Sequence, residues 1–196
     1  MALIADLHIH SRYSRATSPS MNIPEIAKWA RIKGIQVMGT GDFTHPEWLN
    51  ELKSGLKPVG YGTFEYEGVK FFLTAEVSNI FYRQGECFKV HNILLAPDFE
   101  TVEKIIRQIT GYGKLASDGR PILGLDPEEL VKIVLAASAD CMVIPAHAWT
   151  PHFGVFGSAS GFDSLQEGFG SQTKNIFAIE TGLSSDPTMN WRLSDL

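Results

Sequence analysis

The stretch that decides the fold is LIADLHIH, residues 3–10. Every second residue from Leu3 to Ile9 is apolar, and this period of two predicts a β-strand. His8 and His10 then fall on the opposite face and point the same way, as two ligands of one metal ion must. For an isolated His-x-His pair, two hydrogen-bonded histidines are the alternative interpretation.

Short apolar runs and amphipathic stretches alternate along the rest of the chain. Further strands are predicted at residues 35–39, 70–77, 90–95, 142–146 and 176–179, and helices at residues 23–33, 98–110 and 126–139. This alternation predicts an α/β fold whose mainly parallel sheet is closed, or nearly closed, into a barrel.

Two regions interrupt this alternation, and a third element begins near the end of the chain. Residues 55–68 predict a turn-rich connection or a small hairpin. Residues 147–174, rich in Gly, Ser and Phe, suit a binding loop or lid, with disorder as the alternative. A last helix is expected to begin at Asp186 and Pro187.

Length and composition fit a single domain. The chain has 196 residues, of which 44% are hydrophobic, enough for one core. A net charge of -5 argues against binding nucleic acid by charge alone. The two cysteines lack CxxC spacing, and no apolar run is long enough to span a membrane, so we expect no disulfide framework, no membrane association and a cytoplasmic location.

Histidines and one glutamate recur at the ends of the predicted strands. Glu76 ends FFLTAE, His91 begins HNILLA and His147 follows MVIPA. A lone buried carboxylate is costly, which favours a metal-bridging Glu76 over its alternative, a salt bridge. His91 or His147 alone would more often be an ordinary packed or surface residue. Residues at strand ends, however, converge on one face of a barrel, so the histidines and Glu76 together predict a metal site.

The loop GTGDFTH, residues 39–45, adds Asp42 and His45 to the candidates. One of them would be a metal ligand and the other a proton shuttle, and we assign Asp42 as the ligand and His45 to catalysis. Two or three divalent ions are expected, and histidine-rich ligation suits zinc, manganese or iron better than magnesium.

Hydrolysis is the natural chemistry of such a pocket, because the ions lower the pKa of a shared water and hold the phosphate oxygens. We expect a hydroxide nucleophile. Arg12 and Arg15 follow His10 closely and could clamp the phosphate, with Arg15 also assisting catalysis; solvated loop charges are the alternative.

Five strings carry a resemblance to a known family: ADLHIHSRYS, GTGDFTHPEW, TAEVSNIF, HNILLAP and VIPAHAW. Together they resemble the polymerase and histidinol-phosphatase (PHP) superfamily, over nearly the whole chain. Within it, HSRYSRATS and GTGDFTHPEW look like the PHP domain of endonuclease Q and its relatives. The resemblance implies a distorted seven-stranded (βα)7 barrel and a multinuclear metal site, in which the ligands are His8, His10, Glu76, His91 and His147, with Glu76 bridging two ions.

The sequence departs from the superfamily pattern in three places. Arg15 stands where an aspartate commonly follows the serine, and Gly41 and Asp42 stand where Asp-His is usual. Either Arg15 and Asp42 pair and replace a third ion, or Asp42 remains a ligand. The last motif of the family, an Asp and a His, would lie beyond Leu196. We therefore expect a single PHP domain over residues 1–196 that lacks its last strand, further domains in the full gene product, and weakened metal occupancy and activity of this stretch alone.

The leading functional hypothesis is a DNA repair endonuclease that cuts beside deaminated bases. Trp149, Phe153 and Phe156 could stack on an exposed base, with His152 also contacting the substrate, although core packing is the alternative for each aromatic residue. A small-molecule phosphomonoesterase and a noncatalytic metal-stabilised module are the alternative hypotheses.

Overall fold

The computed structural model describes residues 3–15, 17–182, 187–194 and 196. Within these residues eight strands form one sheet: β1 Ala5–Asp6, β2 Val37–Gly39, β3 Lys57–Gly60, β4 Thr63–Tyr66, β5 Val69–Arg83, β6 Glu86–Ala96, β7 Ile122–Leu123 and β8 Met142–Pro145. The α-helices are α1 Ile23–Lys33, α2 Pro46–Gly55, α3 Phe99–Ile109, α4 Pro127–Ala137, α5 Leu165–Phe169 and α6 Pro187–Arg192.

The three predicted helices are confirmed, and their ends follow from local capping. Asn22 accepts a hydrogen bond from the backbone N–H of Glu25 at the start of α1, and Asp98 accepts one from Thr101 in α3. Gly34 ends α1 in the left-handed conformation that a side chain disfavours. These helices contribute apolar residues to the core and pack against strands of the sheet.

The long strand β5 organises the sheet. Its first residues pair in parallel with β2 and antiparallel with β4, while Leu73 to Arg83 pair antiparallel with β6. β1 is parallel to β2, and β8 is antiparallel to β6. The parallel set β1, β2 and β5 brings its carboxyl ends to one edge.

The α/β fold is confirmed, but the sheet differs from the prediction of a mainly parallel sheet, closed or nearly closed into a barrel: it is mixed, and it is open. Two tight hairpins explain the mixture. Gln84 and Gly85, both with positive φ, turn β5 back into β6, and Glu67 and Gly68 do the same between β4 and β5. Two successive residues of positive φ match the twist of antiparallel strands, so the chain reverses without a crossover helix.

The region after β8 consists of turns and short helices. Residues 147–164 form turns before α5, and a 3-10 turn follows at Gly170–Asn175. The predicted strand at 176–179 is not formed, although the backbone of Glu180 donates to Pro145 and accepts from Ala148. The predicted helix start at Asp186 lies outside the described residues, and α6 begins at Pro187.

The core lies between the sheet and its helices and contains Trp48, Phe71, Leu94 and Phe169, all almost fully buried. Cys87 and Cys141 are free thiols. Within the described part of the chain, every helix is too short or too polar to cross a lipid bilayer.

Candidate metal centre

Glu76, in the middle of β5, lies at the centre of a cluster of four imidazoles. Its Oε1 lies 2.8 Å from Nδ1 of His91 and 3.1 Å from Nε2 of His147. Its Oε2 lies 3.1 Å from Nε2 of His10 and 3.4 Å from Nε2 of His8. The carboxylate is buried, and each of its oxygens faces a different pair of histidines.

The sheet explains how residues so distant in sequence meet. His8 and His10 follow β1, whose end lies beside β2 and, through β2, beside β5. In the antiparallel register Glu76 lies opposite Ile93, so His91, two residues away on β6, shares its face. His147 follows β8, the other neighbour of β6.

A second layer of polar groups orients three of the rings. Asp42 Oδ1 lies 2.9 Å from Nδ1 of His10, Glu180 Oε1 lies 2.8 Å from Nδ1 of His8, and the Thr150 hydroxyl lies 2.8 Å from Nδ1 of His147. In each ring the other nitrogen, Nε2, faces Glu76. Such outer contacts fix the tautomer and direction of metal-binding histidines.

Burial and hydrogen bonding shift the protonation of the cluster. Burial lowers the pKa of His8, but its hydrogen bonds to Glu180 and Glu76 outweigh that and raise it to about 10. Burial likewise opposes the rise at His10, where bonds to Asp42 and Glu76 raise the pKa to about 9. Burial raises the pKa of Glu76, yet the four imidazoles hold it far below its usual value.

These donors fit divalent metal ions. Two ligand sets have their donor atoms within 4.8 Å of one another, and both contain Glu76: one with His8 and His10, the other with His91 and His147. The negative charge of a buried carboxylate must be compensated by positive charge nearby. Two metal ions bound to the imidazoles would compensate it better than protons on those rings. The bridging Glu76 expected from the sequence suits this geometry.

Asp42 lies behind His10 rather than beside Glu76. Its Oδ2 accepts hydrogen bonds from the backbone N–H of Ser11 and from the hydroxyls of Ser11 and Ser14. The tight loop that places it needs Gly41, which has positive φ, because a Cβ there would collide with the carbonyl oxygen of Ile9. The carboxylate therefore supports the His10 ring, on the side away from the cluster.

The pair of Arg15 and Asp42, one of the two alternatives that the sequence left open, is not formed. Nε of Arg15 lies 3.3 Å from Asp118, and its side chain is 81% exposed. Arg15 nevertheless lines a cleft of about 440 Å³ that adjoins His91 and His147. Arg12 instead pairs with Glu51 of α2, which also accepts a hydrogen bond from Tyr13, so its charge is engaged away from the cluster.

The remaining predicted site residues divide between cleft and core. His152 lines the cleft with Arg15. Trp149 packs against Phe156 with the two rings tilted, and its indole N–H donates to Asn190, so this ring is held in a packing contact. His45 is buried against the ring of Tyr13, its Nδ1 has no hydrogen-bond partner among the described residues, and the four imidazoles around Glu76 do not include it.

Two residues of the site were missed by sequence reasoning. Glu180 follows the apolar run IFAI, as Glu76 follows FFLTA, and that parallel could have found it. Arg120 places its guanidinium 3.1 Å from Oε2 of Glu76. It lies in a Gly-Arg-Pro turn before β7, and its sequence context resembles an ordinary loop.

Comparison with solved structures supports this description. The lesion-specific endonuclease Q of Pyrococcus furiosus is 38% identical and superposes with a TM-score of 0.82 over 95% of this chain. A complex of endonuclease Q with a 27-mer duplex bearing an abasic lesion at the active site gives 39% identity and a TM-score of 0.80 over 93%.

Over nearly its whole length, the chain resembles endonuclease Q. The resemblance to endonuclease Q expected from the sequence is thereby confirmed, and it is consistent with the resemblance to the PHP superfamily. A metal-dependent phosphoesterase of Bifidobacterium adolescentis, 13% identical with a TM-score of 0.52 over 98% of this chain and 82% of its own, shares the fold. No family profile matches the sequence.

Two curated relatives are uncharacterized proteins, and both are longer than this chain. An uncharacterized protein of Methanocaldococcus jannaschii is 33% identical over 74% of the chain, and the uncharacterized protein YqxK of Bacillus subtilis is 26% identical over 99%. The aligned parts span 16% and 52% of those relatives and 43% of each endonuclease Q chain.

Proposed function

We propose that this chain is the phosphodiester-hydrolysing part of a metal-dependent DNA repair endonuclease. The observation that carries the proposal is Glu76, whose oxygens face the pairs His8, His10 and His91, His147. The 38% identity with a lesion-specific endonuclease supports DNA as the substrate.

The proposed site would hold two ions, one in each ligand set that shares Glu76. Zinc, manganese or iron suits these imidazole donors better than magnesium does. Bound ions would acidify a water and stabilise negative charge on the phosphate. Glu180, Asp42 and Thr150 contact the Nδ1 atoms of three rings, which would leave the Nε2 atoms of His8, His10 and His147 free to bind the ions.

The cleft beside the cluster is the proposed place for the damaged nucleotide. It has a volume of about 440 Å³, and Arg15 and His152 on its wall can donate hydrogen bonds to phosphate oxygens. Phe153 stacks on His91 with ring centroids 4.3 Å apart, so an unstacked base would meet an aromatic surface near the ligands. We propose deaminated bases as lesions and the cytoplasm as the location.

Negative net charge favours the second candidate, a small-molecule phosphomonoesterase, because an acidic protein attracts a DNA backbone poorly. Substrate length distinguishes the two.

The test incubates the protein, with manganese or zinc, with three kinds of substrate. They are end-labelled DNA with one hypoxanthine, uracil or abasic site, its undamaged counterpart, and p-nitrophenyl phosphate.

The proposal predicts cutting of lesion-bearing DNA alone, abolished in His8→Ala and retained in the matched variant His152→Ala at a reduced rate. Turnover of p-nitrophenyl phosphate without any DNA cutting would support the phosphomonoesterase. If metal binds but neither substrate reacts, the same assay is repeated on the chain extended to the length of endonuclease Q, and no reaction there would support the noncatalytic module.

A further inference from the structure

Arg120 differs from a surface arginine such as Arg31 because its partner is a buried carboxylate. Its guanidinium lies 3.1 Å from the buried carboxylate of Glu76, while its own side chain is 39% exposed. Arg31, for comparison, pairs with Glu67, and both of those side chains are open to solvent. Arg120 thus connects solvent with the centre of the ligand cluster.

The backbone that carries Arg120 is fixed on both sides. Asp118 accepts a hydrogen bond from the backbone N–H of Arg120, Gly119 donates to the carbonyl of Tyr13, and the carbonyl of Pro121 accepts from Ser78. A Cβ on Gly119 would overlap the Asp42 carboxylate. The side chain therefore projects from a rigid base that packs against the support of His10.

The contact with Glu76 conflicts with occupation of the ligand set. Arg120 binds Oε2, the same oxygen that faces His8 and His10. A divalent cation held by that oxygen and the two imidazoles would repel a guanidinium and satisfy the carboxylate in its place. Arg120 would then lose its attraction to Glu76.

A second place for the guanidinium lies within reach. Arg120 lines both the cleft over the ligand cluster and the adjoining cleft that contains Arg15 and His152. An anionic phosphate oxygen in that position would receive charge-assisted hydrogen bonds, and the planar guanidinium suits two such bonds.

We propose that Arg120 is a substrate-binding residue whose guanidinium binds the phosphate of the DNA strand when Oε2 of Glu76 holds a metal ion. This inference rests on the proposed function and adds to it an order of events, in which metal binding creates the phosphate site.

The test measures binding without cleavage. Fluorescein-labelled hexathymidylate, which contains no lesion, is titrated with the protein in its manganese-loaded and chelator-treated forms, and fluorescence anisotropy gives the affinity at several salt concentrations. The variants are Arg120→Gln, Arg120→Lys and the matched charge-loss control Arg31→Gln. Metal content is measured for each protein by mass spectrometry.

With manganese bound, Arg120→Gln is expected to weaken binding by about tenfold, the loss of one charged phosphate contact. The slope of log affinity against log salt should fall in magnitude by about 0.7, the value for one neutralised phosphate on a single strand. Arg120→Lys should keep the slope, and Arg31→Gln should match the wild type. In the metal-free form, Arg120→Gln should change affinity little.

Equal affinities of wild type and Arg120→Gln with manganese bound would overturn the inference, and so would an equal loss in both forms. A lower metal content in Arg120→Gln would also overturn it, because Arg120 would then support the ligands. These outcomes do not depend on cleavage. If the protein cuts DNA but Arg120→Gln binds hexathymidylate as the wild type does, only the inference is rejected. If Arg120→Gln loses affinity in the metal-dependent way but the wild type does not cut lesion-bearing DNA, only the proposed function is rejected.

Discussion

Glu180 Oε1 lies 2.8 Å from Nδ1 of His8, although the two residues are 172 positions apart in the chain. The other carboxylate oxygen of Glu180 accepts the backbone N–H of His147 at 2.7 Å. One side chain therefore holds a ligand of each proposed ion in place, and it connects the segment after β8 with the segment after β1.

Replacement of Glu180 by glutamine should weaken metal binding by about 10–100-fold, the usual effect of removing an outer partner of a metal-binding histidine. The glutamine amide is neutral, so it attracts the His8 imidazole less strongly and holds the ring in place less well. Competition against a fluorescent chelator measures the change. The exposed Glu47→Gln on α2 is the control and should bind metal as the wild type does; equal affinity of both variants would contradict the positioning of His8 by Glu180.

Asp42→Asn should lower the free energy of unfolding by about 1–3 kcal/mol, because an amide has one acceptor oxygen where the carboxylate has two, so either His10 or the donors of Ser11 and Ser14 lose their acceptor. If Asp42 orients His10, metal affinity should fall while the number of bound ions is unchanged. Chemical denaturation and metal analysis measure the two effects, with the exposed Asp163→Asn as control. Loss of a whole ion would show that Asp42 is itself a ligand.

The metal-free protein should lose stability in alkaline solution. Burial lowers the pKa values of His8 and His10, but carboxylate partners outweigh it and raise them to about 10 and about 9, above the ordinary 6.5 of an unfolded histidine. Because the folded protein binds these two protons more tightly than the unfolded chain does, they stabilise the fold fully below pH 6.5. This stabilisation is lost as the pH rises through the folded-state pKa values of about 9 and about 10.

Thermal unfolding in chelator between pH 7 and pH 10 checks this expectation. The difference in stability between wild type and His8→Asn should shrink as the pH rises. A difference that stays constant across the range would show that protonation of His8 does not stabilise the metal-free fold.

Much of the ligand set could be predicted from the sequence, because strand periodicity fixes which side chains share a face. His8 and His10 needed only the alternation of residues 3–10, and Glu76 was marked by its place at the end of an apolar run. The structure brings these residues together with His91 and His147, as parallel strand ends and one antiparallel neighbour require.

Other parts depended on tertiary contacts that leave little trace in a single sequence. The direction of β6 is set by the conformation of Gln84 and Gly85, and a two-residue turn of this kind resembles many surface loops. α2 begins at Pro46, inside the string GTGDFTHPEW, directly after glycines that favour a turn, so the sequence alone did not predict this helix. Arg120 and Glu180 reach the cluster through side-chain geometry alone.

The central claim is that Glu76 bridges two ions, and electron paramagnetic resonance of the manganese-loaded protein tests it most directly. Two ions that share one carboxylate should give the signal of a magnetically coupled pair at two manganese per chain, and His91→Ala should give an uncoupled single ion. Two uncoupled ions in the wild type, or one ion whose signal is unchanged in His91→Ala, would contradict the account.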